Sequence, residues 1–244
     1  GYDTYFCEDF TDHMEPYMEQ WKKRDFVPDG IYTGFLSDEK QADKILKLMD
    51  TFAGEDTLIL TDPVMGDDGE VYPIYTEALR NRFCELVRRS YVITPNLTEA
   101  LILLYGKKKM EAIWREFQEI SGRERLDQIE ETGRRLAEEF SLSAVVITGV
   151  DYRDGEELVK IGNLVLEKEK SSWVFAEKSG GSYSGTGDLF ASVLSAGLVK
   201  GYSMKKCAHL AVDFISASIR DAVEEGTDRN DGVCFEAHLG RLIQ

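Results

Sequence analysis

Thr57-Leu58-Ile59-Leu60-Thr61-Asp62-Pro63 is the stretch on which the fold turns. A short apolar run with no polar alternation, closed by Asp-Pro, reads as a strand buried on both faces, as the strands of parallel sheets are. Tyr91-Val92-Ile93-Thr94, stopped by Pro95, repeats the pattern, and so does Ala144-Val145-Val146-Ile147-Thr148-Gly149. Helical periodicity fills the intervals. Ala42, Ile45, Leu46 and Met49 mark one helix with Ser37 as its expected cap, and a second spans roughly 76–89. A third, over 123–140, turns Leu126, Ile129, Leu136, Ala137 and Phe140 inward; its charges Glu130, Glu131, Arg134 and Arg135 are expected to lie outward. Alternating strands and helices make an α/β chain with a mostly parallel central sheet.

Outward from this centre, Asp29 to Gly34 reads as a short strand ending in a glycine turn. Before it comes an amphipathic helix, roughly Thr11 to Lys23, with Met14, Tyr17, Met18 and Trp21 on one face. An α/β domain normally opens on a strand, so a first strand is expected to be missing ahead of this helix. Lys107-Lys108-Lys109 reads as a solvated turn. Asp154-Gly155 signals a hairpin between Tyr152 and an alternating strand over 158–165, and Trp173-Val174-Phe175-Ala176 is one more strand. A last long helix spans Met204 to Val223. With no repeat or low-complexity linker, 1–244 reads as one N-terminally incomplete domain.

Hydrophobic residues at 43% and charged residues at 30% are the balance of a soluble globular protein. A net charge of −16 argues against nucleic acid and anionic membranes as partners. No apolar run reaches the length of a membrane span. Cys7, Cys84, Cys207 and Cys234 form no CxxC pair and read as reduced thiols, which places the chain in the cytoplasm.

Chemistry concentrates in Ser179-Gly180-Gly181-Ser182-Tyr183-Ser184-Gly185-Thr186-Gly187-Asp188, which runs into a helix carrying Leu189, Val193, Leu194 and Leu198 on one side. A glycine loop at a helix start aims free backbone N–H groups and the positive end of a dipole at one point, an anion site. Asp188 has two readings: a first-turn acid complementing the dipole, or a base that takes a proton from a hydroxyl while the amides hold a phosphoryl group. No GxxxxGK[ST] occurs, and Phe190 stands where a dinucleotide fingerprint needs its third glycine. The strand ends Thr61-Asp62, Thr94 and Thr148-Gly149 belong on one sheet edge beside this loop, where open parallel sheets bind ligands. After Thr94, Asn96 and Glu99 occupy the positions of a capping box, a role compatible with facing a metal. Several carboxylates, an amide anion hole and no P-loop lysine suit a Mg²⁺-nucleotide.

Asp62-Pro63-Val64-Met65-Gly66-Asp67, then Thr94-Pro95-Asn96-Leu97-Thr98-Glu99, then Gly185-Thr186-Gly187-Asp188 resemble, in this order, the ribokinase-like superfamily, and more narrowly the pyridoxal/pyridoxamine kinases. The resemblance covers essentially the whole chain, including Ile31-Tyr32-Thr33-Gly34-Phe35. It implies a three-layer α/β/α sandwich, commonly a homodimer, that transfers the ATP γ-phosphate to a hydroxymethyl group on the pyridine ring of a B6 vitamer. It implies Asp188 as base, Gly185, Thr186 and Gly187 as anion hole, and Asp62, Asn96 and Glu99 serving Mg²⁺, with a possible K⁺ requirement. Asp67 and Tyr72 would sit on a loop over the phosphates, Thr94, Thr148 and Gly149 near the nucleotide, and Phe35 against the substrate ring. Rival readings are a hydroxymethylpyrimidine kinase on the same fold and a nucleotide- or vitamer-binding protein without turnover. A dehydrogenase is disfavoured, because no acidic ribose-binding residue follows the glycine loop at the expected distance.

Overall fold

The three apolar runs become neighbouring strands of one sheet. The computed structural model describes residues 2, 4, 6–153 and 159–243. In chain order the elements are α1 (Thr11–Lys22), β1 (Gly30–Thr33), α2 (Glu39–Phe52), β2 (Leu58–Thr61), β3 (Gly66–Asp67), β4 (Glu70–Val71), α3 (Glu77–Arg88), β5 (Val92–Ile93), α4 (Leu97–Glu119), α5 (Gly122–Phe140), β6 (Ala144–Tyr152), β7 (Lys160–Glu167), β8 (Lys170–Glu177), α6 (Thr186–Val199) and α7 (Met204–Glu225), followed by a 3-10 turn over Glu236–Leu242. The main sheet runs β1-β2-β5-β6-β7-β8, and β3 pairs with β4 in a separate small hairpin. Strands β1, β2, β5 and β6 are parallel neighbours, whereas β7 and β8 pair antiparallel.

Successive residues of the parallel strands feed opposite cores, as the two-residue period of a strand requires. Ile93, Val145 and Ile147 pack with Leu79, Phe83, Leu101 and Ile129 of α3, α4 and α5. Leu60, Val92 and Val146 pack with Phe190, Leu194, Ala211 and Phe214 of α6 and α7. Helices on both faces of a mostly parallel sheet make the three-layer sandwich that the sequence implies. Each fully buried aliphatic side chain contributes about 1.5–3 kcal/mol. Among the described residues, no helix is long and apolar enough to cross a membrane.

Three readings change. The cap of α2 is Asp38 and not Ser37: Asp38 is extended and its carboxylate accepts the Gln41 N–H at 2.9 Å, while the Ser37 N–H donates to Gln41 Oε1. Glu130 turns inward, where it accepts from Trp173 Nε1 and Ser171 Oγ at 2.9 Å each and ties α5 to β8. The Lys107–Lys109 run is exposed but helical, and it begins the second half of a broken α4. Gly106 makes the break, with φ 73 and ψ 168. Arg80 of α3 caps the carbonyls freed there, donating to Ile102 O and Leu103 O at 2.7 Å. The Asp154-Gly155 hairpin lies outside the described residues.

Candidate active site

The site is built where the parallel strands stop. The Asp62 N–H donates to Thr33 O at 2.8 Å, which sets the end of β2 beside the end of β1. Thr94, just past β5, donates its hydroxyl to Asp62 Oδ1 at 3.1 Å. Beyond it Asn96 pairs with Thr148 of β6 in a parallel bridge, and Gly149 takes φ 70 where β6 loses register with β7. The Gly149 N–H then donates to Asn163 Oδ1 at 3.3 Å.

Helix α6 packs across β1 and β2, so its first turn arrives at the same edge. Gly185 precedes it with φ 81 and ψ 0, a left-handed conformation that suits glycine, and no side chain caps the helix. The Ser184 N–H is held by Arg229 O at 2.9 Å, and Thr186 Oγ1 donates to Tyr183 O at 3.1 Å. The loop is therefore pinned, while no side chain caps the leading amides of α6. Gly187 faces Asp62: a Cβ built on it would lie 4.0 Å from Asp62 Oδ2. Asp188 is exposed, and its Oδ1 accepts the Tyr32 hydroxyl at 3.0 Å.

The start of α4 is filled instead. Asn96 Oδ1 accepts the Glu99 N–H and Glu99 Oε2 accepts the Asn96 N–H, both at 2.9 Å, so both halves of the capping box are present. Glu99 Oε1 also accepts the Met65 N–H at 3.1 Å, and Asn96 Nδ2 donates to Gly66 O at 2.8 Å. These bonds dock the β3–β4 hairpin, which carries Asp67 and leads to Tyr72. Two more contacts meet at Gly69, whose N–H donates to Thr98 Oγ1 at 2.9 Å and whose built Cβ would lie 2.3 Å from the Trp114 ring. Thr98 and Trp114 would be about 24 Å apart along a straight helix. The break at Gly106 folds α4 back so that both reach one glycine.

A cavity of about 710 Å³ is lined by Asp62, Asp67, Tyr72, Thr94, Asn96, Glu99, Thr148, Gly149 and Gly185–Asp188. Of the site residues read from the sequence, only Phe35 is absent from that lining; it is exposed on the loop between β1 and α2, next to Gly34. The structure adds Tyr32, Trp114 and Asn163. Their partners lie far off in sequence, so no local pattern marks them; for Tyr32 the one cue is its place just before the Thr33-Gly34 strand end.

Negative charge accumulates here. Burial, reinforced by the charge of Asp188, pushes Asp62 up to about 7 against the opposing Thr94 hydrogen bond. Burial and the charges of Asp62 and Asp67 raise Glu99 well above the usual carboxylate range, although backbone N–H donors oppose this. Burial raises Asp67 and takes Tyr72 up to about 12, with neighbouring carboxylates adding to both. A polyphosphate entering such a site needs positive charge beside it. Asn96 and Glu99 already use their side-chain atoms on backbone groups, and Asp62 Oδ2 is the oxygen turned toward α6. Among the described residues no group of three or more His, Cys, Asp or Glu is arranged to hold a metal. This donor set fits a hydrated Mg²⁺ met by one carboxylate and by phosphate oxygens, not a closed protein cage.

Comparison with known proteins adds an independent line. The chain is 28% identical over 170 residues to the pyridoxine kinase of Bacillus subtilis (strain 168), a match spanning 67% of this chain and 54% of that relative. It thus spans about half the length of the curated relative it matches. A Bacteroides thetaiotaomicron protein assigned as a phosphomethylpyrimidine kinase and crystallised with pyridoxal superposes with a TM-score of 0.84 at 29% identity, covering 100% of this chain and 80% of that one. The pyridoxal kinase of Leishmania donovani in complex with ADP shares the fold, with a TM-score of 0.74 at 19% identity over 100% of this chain and 82% of that one. The sandwich is therefore the ribokinase-like fold of the pyridoxal kinases. The phosphomethylpyrimidine kinase family matches residues 18–232, and the chain belongs to that family.

Proposed function

We propose that the chain is an ATP-dependent kinase that phosphorylates the hydroxymethyl group of a B6 vitamer: pyridoxal, pyridoxine or pyridoxamine. The observation that carries this reading is the uncapped start of α6, with Asp188 at its third position and Gly187 facing Asp62. Asp188 takes the proton of the acceptor hydroxyl as that oxygen bonds to the γ-phosphorus. The bond from the γ-phosphorus to the β-phosphate bridging oxygen breaks, and ADP leaves. The amides from Gly185 to Gly187 meet the charge on the transferring group with dipoles already oriented. Mg²⁺ would be held from Asp62, with Asn96 and Glu99 behind it through water, and supplies charge neutralisation on the phosphates when bound. Thr94, Thr148 and Gly149 flank the nucleotide, the hairpin bearing Asp67 and Tyr72 covers its phosphates, and Phe35 is the aromatic group assigned to the substrate ring.

The vitamer is supported by the relatives: one is a pyridoxine kinase, and another was crystallised with pyridoxal. The family match favours a second reading, a hydroxymethylpyrimidine kinase. An ADP-release assay with Mg²⁺ and K⁺ present, run on the three vitamers and on hydroxymethylpyrimidine in competition, separates them. The expected result is the higher kcat/KM on a vitamer. A higher value on the pyrimidine moves the assignment to the second reading, and calorimetric binding without ADP release makes the chain a binding protein.

A further inference from the structure

We propose that Tyr32 is a positioning residue for Asp188: its hydroxyl holds one carboxylate oxygen and leaves the other to meet the acceptor alcohol. The inference rests on the reading of Asp188 as base.

Asp188 sits on the first turn of a helix with its side chain exposed, where an aspartate has several rotamers open to it. A base that must find its proton from several rotamers loses rate to misorientation. Tyr32 removes that freedom from an unrelated part of the chain, donating to Asp188 Oδ1 at 3.0 Å across 156 positions. The donor itself is fixed. Tyr32 lies in β1, whose four residues Gly30–Thr33 stand in register with Leu58–Thr61 of β2. The pair also needs an empty place beside it, and Gly34 supplies it. A Cβ there would lie 3.0 Å from the Tyr32 hydroxyl oxygen and 3.6 Å from Asp188 Oδ1. Burial and the charges of Asp62 and Asp188 hold the phenol proton far beyond its ordinary range, so the group remains a donor at any working pH. A hydrogen bond to a charged group is among the stronger ones in a protein.

Tyr32→Phe deletes one oxygen and keeps the ring, so it separates orientation from packing. The expected result is a kcat about tenfold lower, with KM for ATP and for the acceptor within about twofold and the melting temperature unmoved. In an Asp188→Asn background the same substitution is expected to cost nothing further, since the two groups act as one unit. An unchanged or raised kcat in Tyr32→Phe overturns the inference. So does a full tenfold loss that persists in the Asp188→Asn background, which would mean that Tyr32 acts elsewhere. Wild-type turnover by Asp188→Asn alone would instead overturn the base assignment, a separate outcome.

Discussion

Helices α4 and α6 begin at the same edge of the same sheet, and the chain finishes them in opposite ways. At α4 the side chains of Asn96 and Glu99 close the first turn on each other, and Glu99 reaches on to the Met65 N–H. At α6 the capping position is Gly185, with no side chain to offer, and the residues behind it, Thr186, Gly187 and Asp188, line the cavity. Both helices carry an acid at the third position, but the two acids differ in what they can do. Glu99 is buried and has both oxygens engaged by backbone donors, which makes it a staple for the hairpin. Asp188 is exposed and bonded on one oxygen by Tyr32. On the proposed reading, a filled helix start builds the site and an open one receives the ligand.

The contrast can be broken at either helix. Gly187→Val puts a branched side chain into the mouth of α6, where the glycine faces Asp62. The expected loss is about a hundredfold or more in kcat/KM with little change in melting temperature, because the side chain keeps the transferring group from oxyanion donors worth that much. A value within threefold of wild type would close the case for α6 as the phosphoryl site. Glu99→Ala acts on stability: it strands the Met65 and Asn96 N–H groups, for a cost of about 2–4 kcal/mol in denaturant unfolding. If that variant unfolds like wild type while losing Mg²⁺-dependent nucleotide binding, Glu99 is a ligand rather than a staple.

Asp62 lies between the two helix starts and gives a subtler test. Its folded value of about 7 is above the ordinary carboxylate range, so from about pH 4 to 7 the folded protein keeps a proton that the unfolded chain releases. Stability therefore falls as pH rises through that window and levels off above it. Asp62→Asn removes this contribution. Melting curves are expected to coincide with wild type near pH 4 and to lie above it at pH 8, by on the order of 2 kcal/mol. Equal pH slopes in the two proteins would mean that Asp62 is better compensated than its burial and neighbours imply.

Much of this arrangement is legible in the sequence because it is local. Apolar runs that end in Asp62, Thr94 and Thr148 mark strands and their polar ends, and the spacing of Asn96 and Glu99 spells a capping box. Glycines ahead of Asp188 mark an open helix start. What the sequence hides depends on distant partners. Glu130 looks like an outward charge on its helix until Trp173 and Ser171 arrive from β8. Ser37 and Asp38 are both capping residues, and the backbone at Asp38 decides between them. The fold-back at Gly106 rests on Arg80 of the preceding helix, and the role of Tyr32 needs β1 and α6 to meet. Phe35 shows the reverse: its neighbour Gly34 touches the site while Phe35 itself is exposed and is not among the residues lining the cavity.

The most direct test loads Asp188→Asn protein with ATP and an acceptor vitamer and follows a single round of phosphoryl transfer. The open mouth of α6 should still hold the nucleotide with near wild-type affinity, while transfer slows by about a thousandfold or more for want of a base. Transfer at the wild-type rate by that variant would contradict the division of labour between the two helix starts.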